Sequence, residues 1–392
     1  MSDQYTPTFH RMWNREFIML VIAELLLCVS CYMTIPILPY RLANNNPSAV
    51  WLACIAMVIF IVGICISGLF GSWLIQKFRR NKVFIISSLL LSATIFTMSI
   101  VDHAEIEEQQ LTSIFVLLYL FCGMVFGNAK RVLSCTLLID KTESCHRTEA
   151  NYTAIWISRL AIVVGPTIGM LLNLESKDSV IFTAGSVATL ISCGMVMCVK
   201  FPFRAPDEDV NILSIDRFFL PKGWNIAIVV MLMAASLGII LSARLTLDFC
   251  LSLICGFVLA ISILRYAIIR KGRYTSAVGN IIMIASLLSL TLHNGLLDDT
   301  LKPMILGMGF GMTSSEQLYK LLDRCNHCQR STAESTYFLA SDGGLFLGIA
   351  AGWMIQSTTE YAEHTALLLV LLASAICSVN SLHKQKQASY RA

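Results

Sequence analysis

Twelve apolar segments long enough to cross a bilayer dominate this sequence. They run over about residues 17–40, 49–75, 82–101, 111–133, 151–173 and 179–201, then 224–242, 245–269, 277–293, 301–322, 332–356 and 364–382. A hydrocarbon core of about 30 Å is spanned by about 20 helical residues rising 1.5 Å each. Lipid offers no partner for an exposed backbone amide, so runs of this length fold as helices. Composition agrees: 56% of residues are hydrophobic and 14% charged, against a charged fraction of about 25% in soluble domains. The predicted fold is an all-α membrane protein with twelve transmembrane helices. The first run starts after Arg11 and Arg15, exceeds a signal-peptide core and lacks a small-residue cleavage site, so it reads as a retained helix. The interval Pro202 to Gly223, rich in Pro, Asp and Arg, divides the chain into a half at 1–201, a linker at 202–223 and a half at 224–392.

Cation placement gives the orientation, because short cytoplasmic loops retain Lys and Arg. With twelve spans, 24 of the 29 basic residues fall on the side of the termini; Arg41, Lys177, Arg244 and Lys302 fall on the other, and Arg159 lies inside a span. Both termini are therefore expected in the cytoplasm, and the protein in a bacterial inner membrane. The net charge of +4, with no run of five like charges, argues against a nucleic-acid partner. Fourteen cysteines are mostly small hydrophobes inside apolar runs. Cys325-Asn326-His327-Cys328 is the close cluster outside the apolar runs, without the second pair beside it that a zinc site needs.

The sequence repeats itself. A shift of 183 residues lays Arg147 on Arg330, Ala150 on Ala333, Thr153 on Thr336, Ser158 on Ser341, Gly165 on Gly348 and Gly169 on Gly352. A shift of 184 lays Gly123 on Gly307 and Gly127 on Gly311, and one of 194 lays Lys77 on Lys271 and Arg79 on Arg273. Similar shifts in chain order predict two parallel six-helix halves.

Two six-helix repeats, a cytoplasmic linker and a basic loop after the second helix resemble the major facilitator superfamily over nearly the whole chain. The family's loop signature, G-x-x-x-D-(R/K)-x-G-R-(R/K), falls on Ser72 to Asn81. Lys77 and Arg80 fit it, whereas Gln76 and Arg79 stand where the acid and the second glycine belong. The fifth-helix motif G-x-x-x-G-P-x-x-G-G falls on Ala161 to Met170 and keeps Gly165, Pro166 and Gly169. In the family that motif is associated with antiporters; physically, its glycines permit close helix packing and its proline frees a carbonyl. The stretch Arg330 to Gly344 resembles the eleventh helix of bacterial drug exporters in the same superfamily. The resemblance implies helices 1, 4, 7 and 10 around a central cavity and 2, 5, 8 and 11 between the halves, with 3, 6, 9 and 12 outside.

Charges inside the spans mark the candidate site, since each is costly in lipid unless paired or wet. They are Glu24, Arg159, Asp248, Glu316 and Asp342. Glu24, Arg159 and Asp342 lie about 7 to 10 residues in from the cytoplasmic end of their spans, roughly 10 to 15 Å deep by helical rise. Arg159 and Asp342 are equivalent in the repeat, which is expected to set them on opposite walls of the cavity. Glu24 or Asp342 is the expected proton carrier, its proton competing with an Arg159 contact or with a cationic substrate, and Glu316 is a further candidate. A static buried ion pair is the bland alternative. Asp248 follows Arg244 by four residues and Glu316 precedes Lys320 by four, which suits local helix pairs. Tyr32, Tyr119, Trp156, Phe310 and Tyr337 are candidates to line an apolar substrate pocket. No Ser/His/Asp set, HExxH or phosphate-binding glycine loop marks an enzyme. The expected function is proton-coupled efflux of a small amphiphilic compound by alternating access, with uptake by proton symport as the alternative and a non-transporting receptor behind both. The expected partners are substrate and lipid, with the protein a monomer and a proton gradient in place of any cofactor.

Overall fold

A computed structural model of the protein describes residues 13–35, 49–103, 108–143, 146–175, 179–201, 211–215, 217–266, 275–292, 298–326, 329–355 and 359–389. Arg41, Lys177, Cys328 and residues 202–210 of the linker lie outside them. Twelve long helices follow one another: α1 (Arg15–Tyr32), α2 (Ala49–Lys77), α3 (Arg80–His103), α4 (Glu108–Val132), α5 (Arg147–Glu175), α6 (Ser179–Met197), α7 (Trp224–Ala243), α8 (Leu247–Tyr266), α9 (Thr275–Thr291), α10 (Leu301–Leu322), α11 (Arg330–Ile355) and α12 (Thr359–Ser389). Among the described residues nine of them are long and apolar enough to cross a membrane; α9, at 17 residues, falls just short, and α1 and α10 carry charges within.

The halves repeat each other's packing. In the first, α1 packs on α5 and α6, α2 on α4, and α3 on α4 and α6; in the second, α7 packs on α11 and α12, α8 on α10, and α9 on α10 and α12. The contacts between halves repeat as well, α2 on α11 and α5 on α8. Lipid tails are as apolar as leucine, so helices gain by van der Waals approach at small residues. The repeated glycines mark these approaches. A methyl on Gly123 would stand 2.1 Å from the Phe60 carbonyl oxygen of α2, and one on its equivalent Gly307 2.1 Å from the Leu253 carbonyl oxygen of α8. Gly165 and Gly169 meet Tyr32 and Met33 at the end of α1, while Gly348 and Gly352 meet Ala235 and Ile239 of α7.

That contact revises one expectation: the Gly165-Pro166-Gly169 motif faces α1 of its own half, not the seam between halves. Other boundaries also move. Helix α4 continues past Val132 through a π-helical turn, Leu133–Leu137, and a last turn, Leu138–Asp140. Helix α12 begins at Thr359 and so takes in Glu363, which is buried and bridges to Arg244. Arg244 therefore reaches α12 rather than Asp248, and an outer helix does carry a charge.

Ion pairs tie the loops of one face together. Arg80 Nη1 donates to both oxygens of Asp140 at 2.8 Å, Lys141 bridges Glu16 at 2.8 Å, and Arg324 Nη1 donates to the Lys222 carbonyl at 3.1 Å. This is the basic face of the sequence reading. The linker returns along it: Arg217 turns in the left-handed region at φ 65°, and Phe218 then lies against Gly68 of α2 and under the Arg131 guanidinium, 5.2 Å from ring centre.

Candidate functional site

An ion pair crosses between the halves at mid-depth. Lys130, ten residues from the end of α4's last turn, donates to the carboxylate oxygens of Asp342 on α11 at 2.7 and 2.8 Å. The Tyr32 hydroxyl, from the end of α1, donates to Asp342 Oδ1 at 2.7 Å, and Lys130 Nζ also lies 3.2 Å from that hydroxyl. Both charged side chains are 3% exposed. The rings of Phe338 and Phe126 cover the ammonium at 4.8 and 5.6 Å. A cleft enters from the basic face between α2, α4 and α11, and its lining includes Gly127, Arg131, Phe218, Phe338 and the pair itself.

Lys130 is the residue that sequence reasoning misplaced. Beside Arg131 it counts as a loop cation, yet both are buried. Arg131 lies in a groove of small residues on α2, donating to the Ser67 carbonyl at 3.1 Å, with its Nη1 where a methyl on Gly71 would be. A signal was present: Val132 to Ile139 stays apolar after the two cations, so the helix had further to run.

The π-helical turn builds the next layer. The wider turn presents Ser134 to Glu24 of α1, which accepts its hydroxyl at 2.7 Å on Oε1. Glu24 is fully buried, and Oε2 has no partner among the described residues. Lys130 and Asp342 are within its electrostatic range. Glu334 of α11, overlooked in the sequence although inside a span, is also fully buried; neither oxygen has an N–H or O–H partner among the described residues, the Cys135 thiol lies against it, and Glu24 is in electrostatic range.

Arg159 does not join this cluster. Its guanidinium lies 3.7 Å from the centre of the Phe310 ring and is 3.3 Å from Thr313 Oγ1, both on α10. Trp156 meets Phe257 edge-on at 5.0 Å, and Phe257 stands 6.3 Å from Phe310. The Tyr337 hydroxyl, buried and without a partner among the described residues, is in electrostatic range of Arg159. Thus the repeat-equivalent Arg159 and Asp342 each reach the fourth helix of the opposite half, α10 and α4 respectively. Lys130 falls on Ser314 under the shift of 184 that relates α4 to α10, so no charge stands at the matching place to answer Arg159.

Other expected residues sit apart. Glu316 pairs with Lys320 at 2.6 Å and accepts the Ser276 amide at 2.8 Å, the local arrangement its spacing suggested. Tyr119 packs on Phe60 and is 3.5 Å from Thr34 Oγ1, outside the ion-pair cluster. Lys77 covers the Trp73 ring at 4.9 Å and Arg80 holds the end of α4, both on the basic face. Among the described residues every cysteine is free, and no three His, Cys, Asp or Glu group as metal ligands.

Two pseudo-symmetric six-helix halves closing on buried charges define a secondary transporter working by alternating access. The chain belongs to the major facilitator superfamily, whose profile matches residues 20–349. Among solved structures it resembles a bacterial homologue of the iron transporter ferroportin in an outward-facing state (TM-score 0.67, 14% identity, 93% of this chain and 98% of that one). It also resembles the peptide-transporter-family protein PepTSo (0.66, 13%, 94% and 99%) and the xylose transporter XylE of E. coli (0.66, 12%, 92% and 97%). At such identities the likeness is one of fold. No curated protein sequence matches the chain. The protein is a multi-pass membrane transporter, not an enzyme.

Proposed function

We propose that the protein exports a small amphiphilic compound in exchange for protons, with Asp342 as the principal proton carrier and Glu24 as the second. The observation that carries this reading is the buried Lys130–Asp342 pair, because its two ends belong to different halves. A proton on Asp342 removes the charge that holds Lys130. The closed arrangement then loses its strongest polar contact across the seam, and the halves can rock apart. The cleft beneath Phe218 supplies a way out for that proton to the basic face, which the cation distribution assigns to the cytoplasm. Tyr32 couples the carrier to α1, and Gly165 holds Tyr32 in place, which links the fifth-helix motif to the same carboxylate.

Transport in proteoliposomes under an imposed pH gradient tests this. Outward proton flow should drive uptake, and inward proton flow should drive efflux. Asp342→Asn and Glu24→Gln should lose gradient-driven transport but keep substrate exchange. Uptake driven by inward proton flow would establish symport instead, and full coupling in both variants would remove the carriers assigned here.

A further inference from the structure

Arg159 is a buried cation with at least three of its five N–H donors unused among the described residues. It is 1% exposed, yet its Nε and Nη2 have no partner among the described residues, and one 3.3 Å contact to Thr313 serves Nη1. No carboxylate among the described residues pairs with it; Asp342, Glu316 and Glu363 are engaged by Lys130, Lys320 and Arg244. Packing on Phe310 offsets part of the cost of burial, but a ring face accepts no side-on N–H bond. The two idle donors are the ones that point in parallel from one edge of the guanidinium, the edge that grips a carboxylate with two bonds. The Tyr337 hydroxyl, in electrostatic range of Arg159, is also buried without a partner among the described residues. Next to this polar edge, Phe310, Phe257 and Trp156 continue as an aromatic wall. A permanent structural cation would have its fork filled; this one is held ready with an apolar surface adjoining it.

We propose that the transported amphiphile is an organic carboxylate. Its carboxylate binds the Nε–Nη2 edge of Arg159 and the Tyr337 hydroxyl, and its flat apolar body lies along Phe310, Phe257 and Trp156. Arg159 on α5 and Tyr337 on α11 come from different halves, so a bound anion bridges the seam near, but not on, the Lys130–Asp342 pair. The inference rests on the transport reading above and adds the charge of the substrate to it.

The test uses the full chain in lipid nanodiscs and three naphthalene probes of similar size: naphthoate, naphthylmethanol and naphthylmethylammonium. Naphthoate should bind and raise the unfolding temperature, while the neutral and cationic probes should not. Arg159→Gln should weaken naphthoate binding at least tenfold, about 1.4 kcal/mol. Arg159→Lys, which keeps the charge and loses the fork, should fall between, and Tyr337→Phe should weaken binding several-fold. Absence of any preference for naphthoate, or wild-type naphthoate affinity in Arg159→Gln, overturns the proposal. Should Arg159→Gln fail to fold, the wild-type probe series and Tyr337→Phe decide alone. Asp342→Asn separates the two readings: it should keep the preference for naphthoate over the neutral and cationic probes while losing proton coupling. Retained coupling there refutes the proton carrier and leaves the anion site; a lost charge preference refutes the anion site and leaves the carrier.

Discussion

Neutralising the Lys130–Asp342 pair one end at a time should cost far more than neutralising it whole. Both ends are 3% exposed, and Lys130 Nζ lies within 2.8 Å of each carboxylate oxygen, so each variant strands a charge in a low-dielectric interior. Removing one partner of such a pair costs about 3–5 kcal/mol. The structure ranks the two losses. In Asp342→Asn the stranded ammonium keeps Tyr32 and the more distant Glu24, which puts the cost near the lower end, about 3 kcal/mol or a hundredfold in the folding equilibrium. In Lys130→Met the carboxylates of Asp342 and Glu24 face each other with no cation between them, which puts the cost nearer about 5 kcal/mol. The double variant leaves an apolar methionine against an amide that still accepts from Tyr32, and should cost no more than about 2 kcal/mol; against single losses that sum to about 8 kcal/mol, the coupling energy is then about 6 kcal/mol. Equilibrium unfolding of the four proteins in mixed micelles measures this directly. Single losses under about 1 kcal/mol that add within about 0.5 kcal/mol would show that the pair does not hold the halves together.

Other positions give sharper contrasts. Gly165→Ala would place a methyl 2.5 Å from Tyr32 Cβ; it should cost about 1–3 kcal/mol by overpacking and slow coupled transport by displacing the Asp342 partner. Gly194→Ala, with nothing within 4 Å of the added methyl, is the matched control and should be neutral or slightly stabilising in unfolding measurements. Glu316→Gln removes one end of a local i,i+4 pair whose lysine is 35% exposed. It should change stability by no more than about 1 kcal/mol and leave the pH dependence of transport unaltered; a lost pH dependence would return Glu316 to the proton path.

Much of the architecture was legible because its signals are repeated along the chain. Gly123 and Gly307, or Gly165 and Gly348, each predict a close helix approach, and each makes the same approach in its own half. What escaped was the depth of charge. Lys130 and Arg131 close an apolar run already long enough to span, so nothing in the run's length revealed that α4 continues through a π-helical turn to Asp140. Repeat equivalence also misled in one respect. It identified Arg159 and Asp342 as counterparts, and counterparts face equivalent helices of opposite halves rather than each other. Asp342 found a cation because α4 carries Lys130; Arg159 did not, because α10 carries Ser314 at the matching place. Glu316 shows the converse: its pairing with Lys320 is local, and spacing alone foretold it.

The central claim is that substrate binding, beside the Lys130–Asp342 pair rather than on it, expels the proton from Asp342. Purified protein in weakly buffered solution, mixed with a saturating transported compound beside a pH-sensitive dye, reports protons released on binding. The account expects release from the wild type and none from Asp342→Asn. No release from the wild type, or undiminished release from the variant, would contradict it.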